Sequence, residues 1–112
     1  MTKISNIISG TMGWGSWGHN LNLKEMENLI KTCYELGINT FDHADIYGGY
    51  TTEGDFGKAF LNSGINRSDV FFISKCGIQY PSEKRKLALK YYDYSKEYII
   101  KSVETSIKYL NA

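Results

Sequence analysis

The chain has 112 residues, 42% hydrophobic and 22% charged, with 13 Lys+Arg against 12 Asp+Glu for a net charge of +1. That is the length and composition of one ordinary globular domain, and so even a charge balance gives no electrostatic case for nucleic acid or an anionic membrane as partner. Two cysteines, Cys33 and Cys76, are too few for a disulfide framework and favour reduced thiols in a cytoplasmic protein, while the longest early apolar stretch, Ile7-Ile8, is far too short for a signal peptide or a membrane span.

In chain order, Ile4 to Ser9 reads as a first strand, followed by a loop rich in glycine and tryptophan from Gly10 to Asn22. Leu23 to Leu36 has helical spacing in Leu23, Met26, Leu29, Ile30, Cys33 and Leu36. Asn22 is placed to cap it with Glu25 at the third helical position, and Gly37 is a natural stop. Ile38 to Asp42 reads as a second strand and Thr52 to Leu61 as a second helix. Gly54 and Gly57 weaken that helix unless close packing against a neighbour compensates. Val70 to Lys75 is a third strand, apolar at four successive positions as in a sheet covered on both faces. A long connection, Cys76 to Tyr94, leads to Ser95, which caps a third helix. Ile99, Ile100, Val103, Ile107 and Leu110 should form its inward face.

The order β-α-β-α-β-α implies parallel strands joined by helical crossovers. Three strands alone would leave both sheet edges with unpaired backbone groups. The chain therefore reads as the first part of something larger.

Gly13-Trp14-Gly15-Ser16-Trp17-Gly18 satisfies G-x-G-x-x-G, and Asp42 ends the next strand, as in a dinucleotide-binding fingerprint. That fingerprint needs a helix opening inside the glycines to face a pyrophosphate. Here the helix cap lies at Asn22 and two tryptophans crowd the turn, so a flexible loop packing its tryptophans over a cleft is the better reading.

The chemistry-bearing residues gather elsewhere. Asp42 and Lys75 end neighbouring strands, and Tyr47 sits in the loop after Asp42. In a barrel of βα units, catalytic groups collect where strands end. A phenol with a pKa near 10 is a reluctant proton donor at neutral pH. A nearby ammonium eases its ionisation, and a carboxylate keeps that ammonium charged and aimed. The set suits protonation of an alkoxide formed when hydride reaches a carbonyl carbon.

Gly37-Ile38-Asn39-Thr40-Phe41-Asp42-His43-Ala44-Asp45-Ile46-Tyr47-Gly48 resembles the first signature of the aldo-keto reductase superfamily. The Gly10-Thr11-Met12 turn, Glu53 to Leu61, Ile73-Ser74-Lys75 and Ser95 to Leu110 resemble its flanking blocks. The likeness is closest to bacterial oxidoreductases reading D-H-A-D-I-Y-G-G-Y and then S-K-C-G-I. It implies that residues 1–112 are the first three βα units of a truncated (β/α)8 TIM barrel. It also implies a nicotinamide cofactor, NADPH or else NADH, and a small-molecule carbonyl substrate. By the same resemblance Tyr47 is the proton donor, Lys75 its modifier and Asp42 the partner of Lys75. Thr11, Met12 and Asp42 lie beside the cofactor, and the family's fourth catalytic residue, a histidine, lies beyond residue 112. The 112-residue chain alone is then expected to be inactive. The alternative is a non-catalytic nucleotide-sensing or interaction module, as in the potassium-channel β subunits of the superfamily.

His43 stands where the family commonly has Thr or Ser. If the strand continues, its side chain points away from Asp42 and serves as a hydrogen-bonded structural histidine. The same alternation argues against a metal site made of Asp42, His43 and Asp45. Trp14, Trp17, His19, Tyr50, Tyr80, Tyr91, Tyr92 and Tyr94 lie in loops expected to line an apolar substrate pocket. Lys84, Arg85, Lys86 and Lys90, diluted by Glu83 and Asp93, read as a solvated loop rather than an anion site.

Overall fold

A computed structural model describes residues 2–112. Three short strands, β1 (Ser9–Gly10), β2 (Thr40–Asp42) and β3 (Phe71–Ile73), form one parallel sheet in that order. The register sets Gly10 beside Asp42 and Asp42 beside Ile73, which brings the strand ends level. Helix α1 (Leu23–Glu35) joins β1 to β2. A single turn α2 (Tyr47–Tyr50), helix α3 (Thr52–Ser63) and a 3-10 turn (Arg67–Asp69) join β2 to β3. Helix α4 (Lys96–Leu110) follows, so α3 lies between α1 and α4.

The capping signals act as the sequence predicts. Asn22 and Glu25 form a reciprocal capping box on α1, and Ser95 Oγ accepts from the Tyr98 N–H at the start of α4. Gly64 closes α3 in the left-handed conformation, φ 73°. Because α1 begins only at Leu23, no helix opens within the glycine-rich turns. The core between sheet and helices joins Met26, Ile30 and Cys33 of α1 to Phe41 and to Phe56, Ala59 and Phe60 of α3. Trp14 belongs to this core, with its ring 5.9 Å from Phe56; it does not lie over a cleft.

Three expectations need correction. The first strand does not run from Ile4: Ile4, Ile7 and Ile8 are 55%, 65% and 45% exposed. The segment lacks strand alternation, and side chains replace the ladder there, with Ser5 N–H donating to Asn39 Oδ1 and Asn39 N–H to Ser5 Oγ. The connection after β3 is not structureless, because β4 (Ile78–Gln79) and β5 (Tyr91–Tyr92) pair as a small antiparallel ribbon.

The third correction concerns α4. Ile99, Ile100, Val103 and Ile107 are 38%, 47%, 47% and 48% exposed, and of the expected inward face only Leu110 is buried. The buried stripe is instead Tyr98, Ser102 and Ser106, at spacing i, i+4, i+8. Two buried carboxylates explain it. Asp45 accepts from Tyr98 Oη and Ser102 Oγ at 3.1 and 2.9 Å, and Glu53 accepts from Ser106 Oγ at 2.7 Å. A buried carboxylate must be hydrogen-bonded, so the acids turn the hydroxyl face inward and leave the isoleucines and Val103 exposed.

Gly57 lets α3 approach α4. A Cβ built there would run into the Tyr109 carbonyl, whereas one at Gly54 would meet the Tyr109 ring at an ordinary 3.7 Å. Gly57→Ala is therefore expected to cost about 2 kcal/mol through overpacking. Gly54→Ala should be neutral or gain up to about 1 kcal/mol in helix propensity. Urea unfolding midpoints check this, and equal shifts for the two variants would contradict it.

Candidate active site

The strand ends converge as the register requires. Lys75, two residues past β3, donates to Asp42 Oδ1 at 2.6 Å and to the His43 carbonyl at 2.7 Å. Its Nζ lies 5.4 Å from the centre of the Tyr47 ring, and Tyr47 opens the α2 turn. All three residues named from the sequence thus meet. The ion pair is half-exposed, so its worth lies in placing the ammonium rather than in stability. Partial burial works against the charged lysine. The hydrogen bond to Asp42, the proximity of Tyr47 and the Asp42 charge outweigh it, and the Lys75 pKa stands above its ordinary value.

The Tyr47 loop is held by strained backbone. Gly48, Gly49 and Tyr50 all have positive φ, and for Tyr50 (φ 74°) this costs energy that contacts must offset. Tyr50 Oη donates to the Ile78 carbonyl and accepts from the Tyr80 N–H at 2.8 Å, and the Arg85 guanidinium lies over its ring at 3.7 Å. Tyr50 is therefore a buried clasp that borders a hollow shared with Arg85, Tyr98 and Tyr109, not the one lined by Trp17 and Tyr80. Arg85 also binds Gln79 Oε1 and Tyr98 Oη, and Lys84 sits over the Tyr109 ring, so these two cations of the long connection are fixed structurally.

Beyond Tyr47 the surface is aromatic. Trp17 packs edge-on to Tyr47 at 6.2 Å and to Tyr80 at 5.5 Å. Met12, Gly13, Trp17 and Tyr80 line an open hollow of about 470 Å³. Tyr92 and Tyr94 pack against each other and are exposed. Thr11 and Met12 part company: Met12 is exposed, whereas Thr11 is fully buried, its hydroxyl bonded to the Asp42 carbonyl and to His43 Nδ1.

His43 continues the alternation of β2. Its ring is fully buried against Phe56, at 4.3 Å between centres. Asp42, His43 and Asp45 take three different partners, and among the described residues no His, Cys, Asp or Glu cluster is arranged for a metal. Both cysteines are free thiols. No helix among the described residues is long and apolar enough to cross a membrane.

The sequence reading missed Tyr98 and the structural roles of Asp45 and Glu53. Glu53 also accepts from Ser74 Oγ at 2.6 Å, next to Lys75. Hydroxyls at Tyr98, Ser102 and Ser106 on one helical stripe were the available signal.

A parallel α/β layer that gathers a carboxylate, an ammonium and a phenol at its strand ends defines an α/β protein with its site at the carboxyl edge of the sheet. Residues 6–112 match the aldo/keto reductase family model, and the chain belongs to that family. It is 41% identical over 106 residues to the oxidoreductase YcsN of Bacillus subtilis (strain 168), covering 94% of this chain and 35% of that protein. It is 39% identical over 107 residues to the 6-dehydroglucose reductase of Agrobacterium fabrum, covering 95% and 36%. The holo form of an aldo-keto reductase from Bacillus halodurans superposes with a TM-score of 0.77 at 27% identity, covering 97% of this chain and 33% of that one. The chain thus spans about a third of the length of the relatives it matches.

Burial, aided by the Lys75 charge and opposed by that of Asp42, pushes the His43 pKa down to about 3. The unfolded chain takes up this proton near pH 6.5, whereas the folded chain does not until about pH 3. This contribution to stability is therefore complete above about pH 6.5 and is lost as pH falls, at up to about 1.4 kcal/mol per pH unit. Glu53, its pKa raised mainly by burial, acts in the opposite sense, so a comparison of variants isolates the histidine. Between pH 7 and 4 the urea midpoint of the wild type should fall more steeply than that of His43→Leu; parallel curves would contradict the assignment.

Proposed function

We propose that the protein carrying this chain is an NAD(P)H-dependent carbonyl reductase acting on small aldehydes or ketones. In this reading its βα units form part of a (β/α)8 barrel, and Tyr47 is the proton donor. The observation that carries the reading is the Lys75 ammonium, seated on Asp42 and set beside the Tyr47 ring. Family membership and the oxidoreductase relatives support it.

The residues present suit the nicotinamide end of such a cofactor. Met12, exposed beside the Asp42 strand end, offers an apolar side chain to an uncharged flat ring. Thr11 has its hydroxyl and both peptide groups committed within the protein and would support Met12 from beneath. Arg85 and Lys84 face Tyr50, Tyr98 and Tyr109, so other parts of the barrel would hold the phosphates. We assign NADPH as the usual donor, with NADH the alternative, and the cytoplasm as the compartment.

The bound cofactor would supply a hydride to the carbonyl carbon. Tyr47 would give its phenolic proton to the carbonyl oxygen, and Lys75 would favour the phenolate left behind. Asp42 would keep Lys75 charged and oriented. Trp17 and Tyr80 would exclude water from the carbonyl and hold the apolar part of the substrate.

In the full-length protein Tyr47→Phe should lower kcat for aldehyde reduction by at least about 100-fold, with cofactor binding kept. Unchanged turnover would overturn the role of Tyr47. Residues 1–112 alone should oxidise no NADPH with an aldehyde panel, because the exposed isoleucine face of α4 and the β3 edge mark surfaces that further barrel elements would cover. Robust turnover by that chain would refute this.

A further inference from the structure

His43 bonds to the surrounding strand ends through three separate groups. Its peptide N–H donates to the Ile73 carbonyl at 2.8 Å, at the end of β3. Its peptide carbonyl accepts from Lys75 Nζ at 2.7 Å. Its Nδ1 meets the Thr11 hydroxyl at 2.9 Å, just past β1. The Thr11 hydroxyl has one proton to give, and the Asp42 carbonyl lies 3.0 Å from it while also accepting the Thr11 N–H at 3.1 Å. Assigning the hydroxyl proton to that carbonyl makes Thr11 Oγ1 the acceptor from His43 and puts the imidazole hydrogen on Nδ1. That leaves Nε2 a bare lone pair, buried and without a partner, between Phe56 and Phe72 with ring centres at 4.3 and 5.8 Å. A buried unpaired nitrogen calls for a reason, and a structural filler of that volume would serve better as phenylalanine or leucine.

We propose that His43 is a positioning residue. By pinning its own peptide to β1 through Thr11, it fixes the carbonyl that seats Lys75 and so sets the ammonium against Asp42 and Tyr47. This rests on the carbonyl-reductase reading only for what Lys75 is positioned to do. The imidazole lies on the far side of β2 from Asp42, fully buried against Phe56 and Phe72, so its effect on the site is indirect. Its action passes through the peptide plane between His43 and Ala44, whose other neighbours are equally fixed, since the Asp45 N–H donates to the Lys75 carbonyl at 3.0 Å. A residue that cannot donate at Nδ1 frees that plane, and Lys75 loses one of its two hydrogen-bond acceptors.

The test uses the full-length protein and three variants. His43→Leu keeps the bulk and loses the donor. His43→Asn places an amide N–H near Nδ1. Thr11→Val keeps the histidine and removes its acceptor. We expect His43→Leu and Thr11→Val to lower kcat at least tenfold with the KM for the aldehyde within twofold, and His43→Asn to recover to within about threefold of the wild type. Imidazole ¹⁵N NMR of the wild type, which needs no variant to fold, should show the Nδ1–H tautomer, neutral down to about pH 4. Amide exchange at His43 and Asp45 should speed up in His43→Leu and stay slow in His43→Asn.

Wild-type kcat in His43→Leu, equal losses in Leu and Asn, or an Nε2–H tautomer would each overturn the proposal. A wild-type protein without carbonyl reduction would overturn the reductase reading, and tautomer and exchange would then decide the positioning role by themselves.

Discussion

The ammonium of Lys75 is the point around which the described structure is arranged. It sits between the Asp42 carboxylate and the His43 carbonyl, and it reaches both only because β2 and β3 are parallel and in a register that ends them together. A shift of one residue would send Asp42 to the helix side of the sheet. The short strands are thus less a source of stability than a means of placing three side chains at one edge. Stability comes from the aromatic core of Phe41, Phe56, Phe60, Phe72 and Trp14 beneath them.

A second constraint is electrostatic and lies deeper. Asp45 and Glu53 are both buried, and each takes its hydrogen bonds from α4 hydroxyls. Glu53 also binds Ser74, so the residue before Lys75 is tied to α3 and α4 at once. Burial raises the pKa of Glu53, and its serine partners keep it compatible with the interior. These contacts fix how α4 is rotated, and with it which face of the helix stays open.

Much of this was legible in the sequence, for identifiable reasons. The α1 capping box, the stop at Gly37 (φ 84°) and the close approach at Gly57 are local or steric, so residue type reveals them. The meeting of Asp42, Tyr47 and Lys75 followed from strand ends in a parallel sheet, and the alternation that turns His43 inward followed from strand period alone. What failed depended on partners distant in the chain. The isoleucines of α4 read as a core face because periodicity cannot say that two acids some fifty residues earlier will claim the opposite stripe. Ile4, Ile7 and Ile8 suggested a strand, but side-chain hydrogen bonds between Ser5 and Asn39 took the place of the ladder. Tyr50 was expected beside Trp17 and Tyr80 because its left-handed backbone and its clasp on Ile78 and Tyr80, which turn it toward Arg85 and Tyr98, leave no mark in composition.

If Asp42 holds the Lys75 ammonium charged beside the Tyr47 ring, removing that carboxylate must lower the lysine's pKa. An NMR titration of the Lys75 ε-ammonium in the full-length protein, alone and as Asp42→Asn, tests that hold most directly. A midpoint above lysine's ordinary value of about 10.4 is expected in the wild type, with a clear fall in Asp42→Asn. A wild-type midpoint at or below that value, or one unmoved by the substitution, would contradict it.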